Sequence, residues 1–195
     1  MSLNIRYDVR VIIRALDIAL SLVGLIVAAP VCLMLIILGF MDTGSPLFKQ
    51  IRVGKNEKPF LLIKFRTMSL DSESVATHLI EPSKITRTGS FLRRTKLDEL
   101  PQLWNVLKGD MSMVGPRPCL FNQEQLIFER AIRDIYDVRP GITGLAQIQG
   151  MDMSTPKELA ETELKMLRNL SVSSYFEFIL LTIWGRGRRD GVRDL

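Results

Sequence analysis

From Ile18 to Met41 the chain carries no charged side chain, whereas the segments on either side are rich in them. At about 1.5 Å per residue, a helix of that length just crosses a hydrocarbon core roughly 30 Å thick. The run is too long for a cleaved signal peptide and lacks a small-residue cleavage site. Pro30 sits in its middle, where it removes the bond to the Ile26 carbonyl and kinks or breaks the helix. Arg6, Arg10 and Arg14 precede the run and Lys49, Arg52, Lys55 and Lys58 follow it, so the positive-inside rule selects no direction of crossing. Two geometries satisfy this pattern. One is a kinked transmembrane helix; the other enters, bends at Ala29-Pro30 and returns to the same side.

After Asp42 the pattern becomes that of a water-soluble domain. Gly44-Ser45-Pro46 reads as a turn, and Leu47 to Val53 and Phe60 to Arg66 as strands joined through Gly54-Lys55-Asn56-Glu57. Period two places Lys64 and Arg66 on one face and Ile63 and Phe65 on the other. Residues 69 to 84, polar and acidic, read as a surface loop. Leu97, Leu100, Leu103, Trp104 and Leu107 recur at helical spacing, which predicts an amphipathic helix stopped by Gly109. A second such helix is expected from Gln123 to Tyr136, burying Leu126, Ile127, Ala131, Ile132 and Ile135. A third covers 156 to 169, opened by Thr155-Pro156 as N-cap and first turn. Tyr175 to Trp184 is too short to span a bilayer and contains Glu177, which leaves an interfacial helix with aromatic anchors or a buried core helix. The expected class is α+β, mostly helical, with one small β-hairpin and interfacial amphipathic helices. The divisions are a membrane helix with its basic flank at 1–42, a membrane-associated domain at 43–185 and a basic tail at 186–195.

Composition narrows the chemistry. A chain of 195 residues can bury one good core, and its formal charge of +5 points to an anionic partner. The tail, with Arg186, Arg188, Arg189 and Arg193, suits anionic lipid headgroups. Cys32 and Cys119 form neither a disulfide framework nor a metal-ligand spacing, which fits a reducing, cytoplasmic setting. His78 is the single histidine, so no histidine metal site and no Ser-His-Asp arrangement is available. Acid, base or nucleophilic work falls to carboxylates.

Asp98 and Glu99 stand where the central helix is expected to begin, and there the helix dipole favours anions. Thr95 with Asp98 fits a capping box, so capping alone accounts for the pair. Downstream, Gly115-Pro116-Arg117-Pro118 restrains the backbone on both sides of one arginine, pre-aiming a fork suited to phosphate or to a structural carboxylate. Arg93 and Arg94 precede the acidic pair, and Arg139-Pro140-Gly141-Ile142-Thr143-Gly144 offers a turn that can form a backbone anion nest.

Several motifs, in order, carry a resemblance over nearly the whole chain. They are Arg14-Ala15-Leu16-Asp17, SPLFKQIRVG at 45–54, KFRTM at 64–68, TRTGSFLRRTKLDELPQLWNVLKGDMSMVGPRP at 86–118 and RPGITGLAQIQG at 139–150. Together they resemble the monotopic phosphoglycosyl transferases, or bacterial sugar transferases. The resemblance implies transfer of a phospho-sugar from a UDP-sugar to polyprenol (undecaprenyl) phosphate with release of UMP, the first membrane step of glycoconjugate assembly. It implies a re-entrant membrane helix broken at Pro30 and a catalytic domain on the cytoplasmic face of the bacterial inner membrane. It places the nucleophile at Asp98, which forms a covalent phospho-sugar intermediate, and magnesium at Glu99 together with Asp98. Lys64, Arg66, Arg93, Arg117, Arg139 and Glu163 are then expected around the phosphates and sugar, neutralising charge that would repel a carboxylate nucleophile. The resemblance names no sugar and leaves oligomeric state open, a homodimer included.

Three positions depart from that pattern. Met151 and Asp152 stand where arginine often follows AQIQG, Glu163 where aspartate is usual, and Tyr175 where an acid is common. The rival function is a non-catalytic scaffold that holds anionic lipid and uses Asp98 and Glu99 only as caps. A nucleic-acid-binding domain fits least, because no recognised motif or aromatic-studded basic groove is present.

Overall fold

The computed structural model describes residues 7–70 and 84–185, and its N-terminal helix α1, Tyr7–Thr43, organises the rest. Pro30 lies inside α1 and does not end it; the helix continues on both sides of the lost Ile26 bond. One stripe of α1 docks along its length. Ile13 packs in a core with Val114, Ile135 and Tyr175, and a Cβ on Gly24 would lie 3.1 Å from the Leu103 side chain. Farther along, Leu35 packs with Phe65 and Leu92, and Gly39 lies against Pro46. These contacts stretch over about 40 Å of helix. The opposite stripe, including Val23, Ile26, Val27, Leu33, Met34 and Phe40, is exposed and apolar. By length and composition α1 could cross a membrane.

The hairpin forms as its alternation predicts. Strands β1, Leu47–Val53, and β2, Pro59–Phe65, pair antiparallel from Leu47 opposite Phe65 to Val53 opposite Pro59. A short 3-10 turn at Lys55–Glu57, with Asn56 at φ 54°, joins them. The expected surface loop falls mostly on residues 71–83, outside the described ones.

The central segment departs from the single helix that the apolar spacing predicts. Helix α2, Arg87–Thr95, ends at Lys96 in the left-handed conformation, φ 60°. Leu97–Glu99 is a separate 3-10 turn, and α3, Gln102–Lys108, begins only after Pro101. Thr95 does not cap that turn: its hydroxyl donates back to the Phe91 and Leu92 carbonyls. Pro101 explains the division, because its ring is tolerated ahead of a helix but not within one. Gly109 closes α3 as expected, at φ 99°.

A second, parallel pair joins the two glycine-proline motifs. Strands β3, Ser112–Val114, and β4, Gly141–Thr143, pair Ser112 with Gly141 and Val114 with Thr143. Gly115 N–H donates to Thr143 O and Gly141 N–H to Pro116 O, so Gly141–Thr143 is strand and not the backbone nest that this segment could also form. A Cβ on Gly141 would stand 2.0 Å from the Gly115 nitrogen, which is why both positions require glycine.

Helix α4, Glu124–Ala131, is shorter than predicted, because Asp134 turns left-handed before a 3-10 turn at Ile135–Asp137. Leu126 and Ile135 are buried as expected, but Ile132 is exposed and Arg130 takes a buried place. Short α5, Leu145–Ile148, leads to α6, Pro156–Arg168, where Thr155 makes no side-chain cap. Helix α7, Val172–Ile183, combines both readings of its segment: Tyr175 is fully buried, while Leu180, Ile183 and the following Trp184 are exposed. Tyr175 also has a structural task. Its hydroxyl donates to buried Asp17 on α1, whose same carboxylate oxygen accepts from Ser112 Oγ and Met113 N–H. One carboxylate thus ties α1, β3 and α7 together, in the α+β, mostly helical fold the pattern predicts.

Candidate active site

The left-handed Lys96 turns the chain sharply between α2 and α3, and the 3-10 turn that follows presents the acidic pair. Asp98 is 7 % exposed. Glu99 accepts an ion pair from Lys64 of β2 at 2.6 Å. Beside them opens a cleft lined by Arg52, Lys64, Lys96, Glu99, Gln102 and Arg117, with Thr143, Gln147 and Thr182 on its far side. Four cations therefore face the cleft with Glu99, while Asp98, its neighbour in the turn, is buried and is not among the lining residues.

The arginine turn is clamped from several directions. Arg52 donates to the Pro118 carbonyl at 3.1 Å, and Val53 N–H to the Cys119 carbonyl at 3.0 Å. From the interior, Glu163 of α6 accepts the backbone N–H of Arg117. Glu163 is itself held by a two-pronged pair from Arg130 of α4, Nε to Oε2 at 2.8 Å and Nη2 to Oε1 at 2.6 Å. Burial works against the Arg130 charge, but the carboxylate against it outweighs that cost and holds its pKa above the ordinary value. The order is α4 to α6 to the backbone of Arg117, which fixes the turn that carries its side chain.

The cleft's electrostatics are unbalanced in favour of an anion. Burial, and then the charge of Arg117, pull Arg52 down to about 10. Two cations held in mutual repulsion at a cleft wall are what a diphosphate would relieve.

Not every residue expected at the site is brought there. Lys64, Glu99 and Arg117 line the cleft, with Asp98 next to Glu99. Arg93 Nε donates to Thr67 Oγ1 at 2.9 Å. Arg66 donates to the Ser45 and Leu47 carbonyls and lies over the Phe48 ring. Arg139 donates to the Gly109 carbonyl at 2.7 Å, capping α3, and belongs with Arg10, Arg14 and Asp17 to a second cleft. Its pKa is lowered by burial and then by Arg14. Glu163 is behind the arginine turn, and Pro30 is inside α1.

Sequence reasoning passed over Arg52, Lys96, Gln102, Gln147 and Thr182 as cleft residues. Arg52 stood only among the basic flank, and the strand's period-two pattern was the signal that separated it from Lys49. Glutamines and a threonine carry no charge pattern to follow. Among the described residues no group of three or more His, Cys, Asp or Glu side chains could hold a metal. Magnesium does not require one: it is held by one or two carboxylates with substrate phosphates and water completing its shell. The adjacent Asp98 and Glu99 fit that donor set.

Comparison with known proteins gives the family. A family profile described as "Bacterial sugar transferase" matches residues 9–188. "Uncharacterized sugar transferase EpsL" of Bacillus subtilis is 38% identical over 171 residues, covering 87% of this chain and 84% of that protein. "UDP-glucose:undecaprenyl-phosphate glucose-1-phosphate transferase" of Escherichia coli is 37% identical over 187 residues, 90% of this chain but 40% of that protein. A "Putative undecaprenyl-phosphate N-acetylgalactosaminyl 1-phosphate transferase" of Bacillus subtilis is 50% identical over 109 residues, 54% of this chain and 60% of its own length.

Proposed function

This chain belongs to the bacterial sugar transferase family, and from that premise we propose that it moves a sugar phosphate from a UDP-sugar to undecaprenyl phosphate, releasing UMP. The observation that carries the reading is Glu99, with buried Asp98 beside it in the same 3-10 turn, on the wall of a cleft faced by Arg52, Lys64, Lys96 and Arg117. The names of its relatives support donor and acceptor, since the Escherichia coli protein is named for UDP-glucose and undecaprenyl phosphate.

The reaction runs in two displacements. A carboxylate oxygen of Asp98 attacks the phosphorus that bears the sugar, forming an O–P bond as the bond to the bridging oxygen breaks. UMP departs with that electron pair. An oxygen of undecaprenyl phosphate then attacks the same phosphorus, and the Asp98 carboxylate leaves. Two steps let a soluble donor and a lipid acceptor use one site in turn. Arg117 and Arg52 hold the diphosphate and spread its charge away from the approaching carboxylate. Lys64 orients Glu99, which with Asp98 would hold magnesium. When bound, magnesium supplies charge neutralisation at the diphosphate.

Helix α1 supports a lipid-surface setting for this chemistry. A helix that crosses a bilayer alone is surrounded by lipid through its middle, whereas the middle of α1 is docked on α3 and β2. Its exposed apolar stripe needs cover, and lipid on that side alone supplies it. We therefore place α1 in the cytoplasmic leaflet of the inner membrane, monotopic, with both basic flanks on the cytoplasmic side.

The reaction is tested by incubating purified protein with magnesium, undecaprenyl phosphate and a panel of UDP-sugars and measuring UMP. One sugar at least should support turnover, and Asp98→Asn should lower it by about a thousandfold or more while membrane binding is kept. Full activity in that variant would refute the nucleophile assignment. Labels at both termini should be reached from the cytoplasmic side; a single protected terminus means a crossing helix.

A further inference from the structure

Two amide side chains in the cleft are left with polar atoms that the protein does not satisfy. Gln102, the first residue of α3, is 3 % exposed, and its buried Nε2 finds no acceptor. Gln147 of α5 turns its Nε2 toward the Gly115 carbonyl at 3.4 Å, which leaves its buried Oε1 without a donor. Both line the same cleft as Lys64, Glu99 and Arg117. Buried donors and acceptors in native proteins are nearly always paired, so an unmet pair at a cleft wall marks what the ligand must bring.

The two needs are opposite in kind. Gln102 offers an N–H and requires an acceptor; Gln147 offers an oxygen and requires a donor. A deprotonated diphosphate has acceptors only and cannot satisfy Gln147. A neutral ring bearing hydroxyl groups meets both, because each hydroxyl donates and accepts. The position agrees with this chemistry. Gln102 follows Glu99 by one short turn, and Asp98 attacks the phosphorus that carries the sugar, so the sugar ring is the neutral part of the donor nearest the acidic pair.

We propose that Gln102 and Gln147 form the sugar subsite, binding hydroxyl or acylamino groups of the transferred sugar and setting which sugar is accepted. Resting on the transfer reading above, this assigns the cations to the diphosphate and the two amides to sugar identity. A site built to pair a substrate hydroxyl discriminates strongly against an analogue that lacks or misplaces it, because its own polar groups are then stranded.

The test separates the sugar from the nucleotide. In an Asp98→Asn background, which stops turnover, calorimetry gives the affinities for UDP-glucose, UDP-galactose, UDP-N-acetylgalactosamine and UMP. Gln102→Met and Gln147→Met should each weaken the best UDP-sugar by about fivefold or more and shrink its preference over the others, with UMP affinity held within about twofold. Gln147→Asn and Gln102→Asn keep the polarity and shorten the reach, and should show the same loss of preference if either methionine variant fails to fold. An unchanged preference, an equal loss of UMP affinity, or a wild type that binds no UDP-sugar overturns the subsite. Turnover is read separately: a protein that binds sugar through these amides but releases no UMP retires the reaction and leaves the subsite standing.

Discussion

Glu163 shows how a residue can matter to a site it does not touch. Its carboxylate is fully buried, paired with Arg130 and bonded to the Arg117 backbone, so the acid that the sequence pattern expected around the substrate stands behind the arginine turn. Glu163→Gln leaves a buried guanidinium uncompensated and should cost about 3–5 kcal/mol in denaturant unfolding. Replacing Arg130 and Glu163 together by methionine should recover much of that stability, yet turnover should stay low because the Arg117 N–H has lost its acceptor. Recovery of both would reduce the pair to a packing element. Arg52 poses the reverse case. Its folded pKa, about 10, lies below the ordinary arginine value, so the fold is penalised for holding it charged at every pH below about 10, and the penalty fades as pH rises above that. A bound phosphate reverses that sign at neutral pH. UMP at a hundred times its Kd should stabilise the wild type by about 2.7 kcal/mol, and Arg52→Gln should shrink the thermal shift seen at the same UMP concentration.

At the scale of elements, periodicity was legible and its interruptions were not. The apolar residues from Leu97 to Leu107 do not share one face: Leu97 and Leu100 pack with Leu35 and Phe65, Leu103 lies against Gly24 and Trp104 is exposed, because a left-handed Lys96, a 3-10 turn and Pro101 divide what the spacing joins. Nothing in residue type announces a lysine at φ 60°; tertiary packing imposes it, with Leu97 and Leu100 drawn against Leu35 and Phe65. Asp134 breaks α4 from its expected continuation in the same way. The hairpin was legible to within a residue, because alternation and turn chemistry are local. The parallel β3–β4 pair was not, since its partners lie far apart in sequence and the second motif looked like an anion-binding turn. Lys96→Gly should keep or raise the melting temperature, since glycine occupies that conformation without a steric penalty, while weakening UMP binding by removal of a cleft cation. A large loss of stability would mean that the Lys96 side chain, and not its backbone, holds the turn. Gly141→Ala should be poorly folded, because no side-chain movement clears a Cβ from a backbone nitrogen.

For the whole molecule, the open question in the sequence was which way the apolar helix runs relative to the membrane, and docking along one stripe of α1 is an observation that charge counting lacked. Both flanks are basic, so the flanks carry no direction; the stripe from Ile13 through Gly24 and Leu35 to Gly39 is satisfied by protein, and only the opposite stripe asks for lipid. The two stripes can be separated by mutation. Ile26→Lys with Val27→Lys, on the exposed stripe, should release the protein from vesicles of inner-membrane composition, each charge costing about 2.5–3.5 kcal/mol if it must enter the hydrocarbon. Its melting temperature in detergent should be nearly unchanged, because neither side chain packs on the domain. Gly39→Val should do the opposite: its side chain collides with Pro46, so stability and UMP release fall while vesicle binding persists. If the double lysine variant remains bound and the valine variant is released, the lipid-facing stripe has been placed on the wrong side of α1, and the cleft's orientation toward the membrane must be reversed with it.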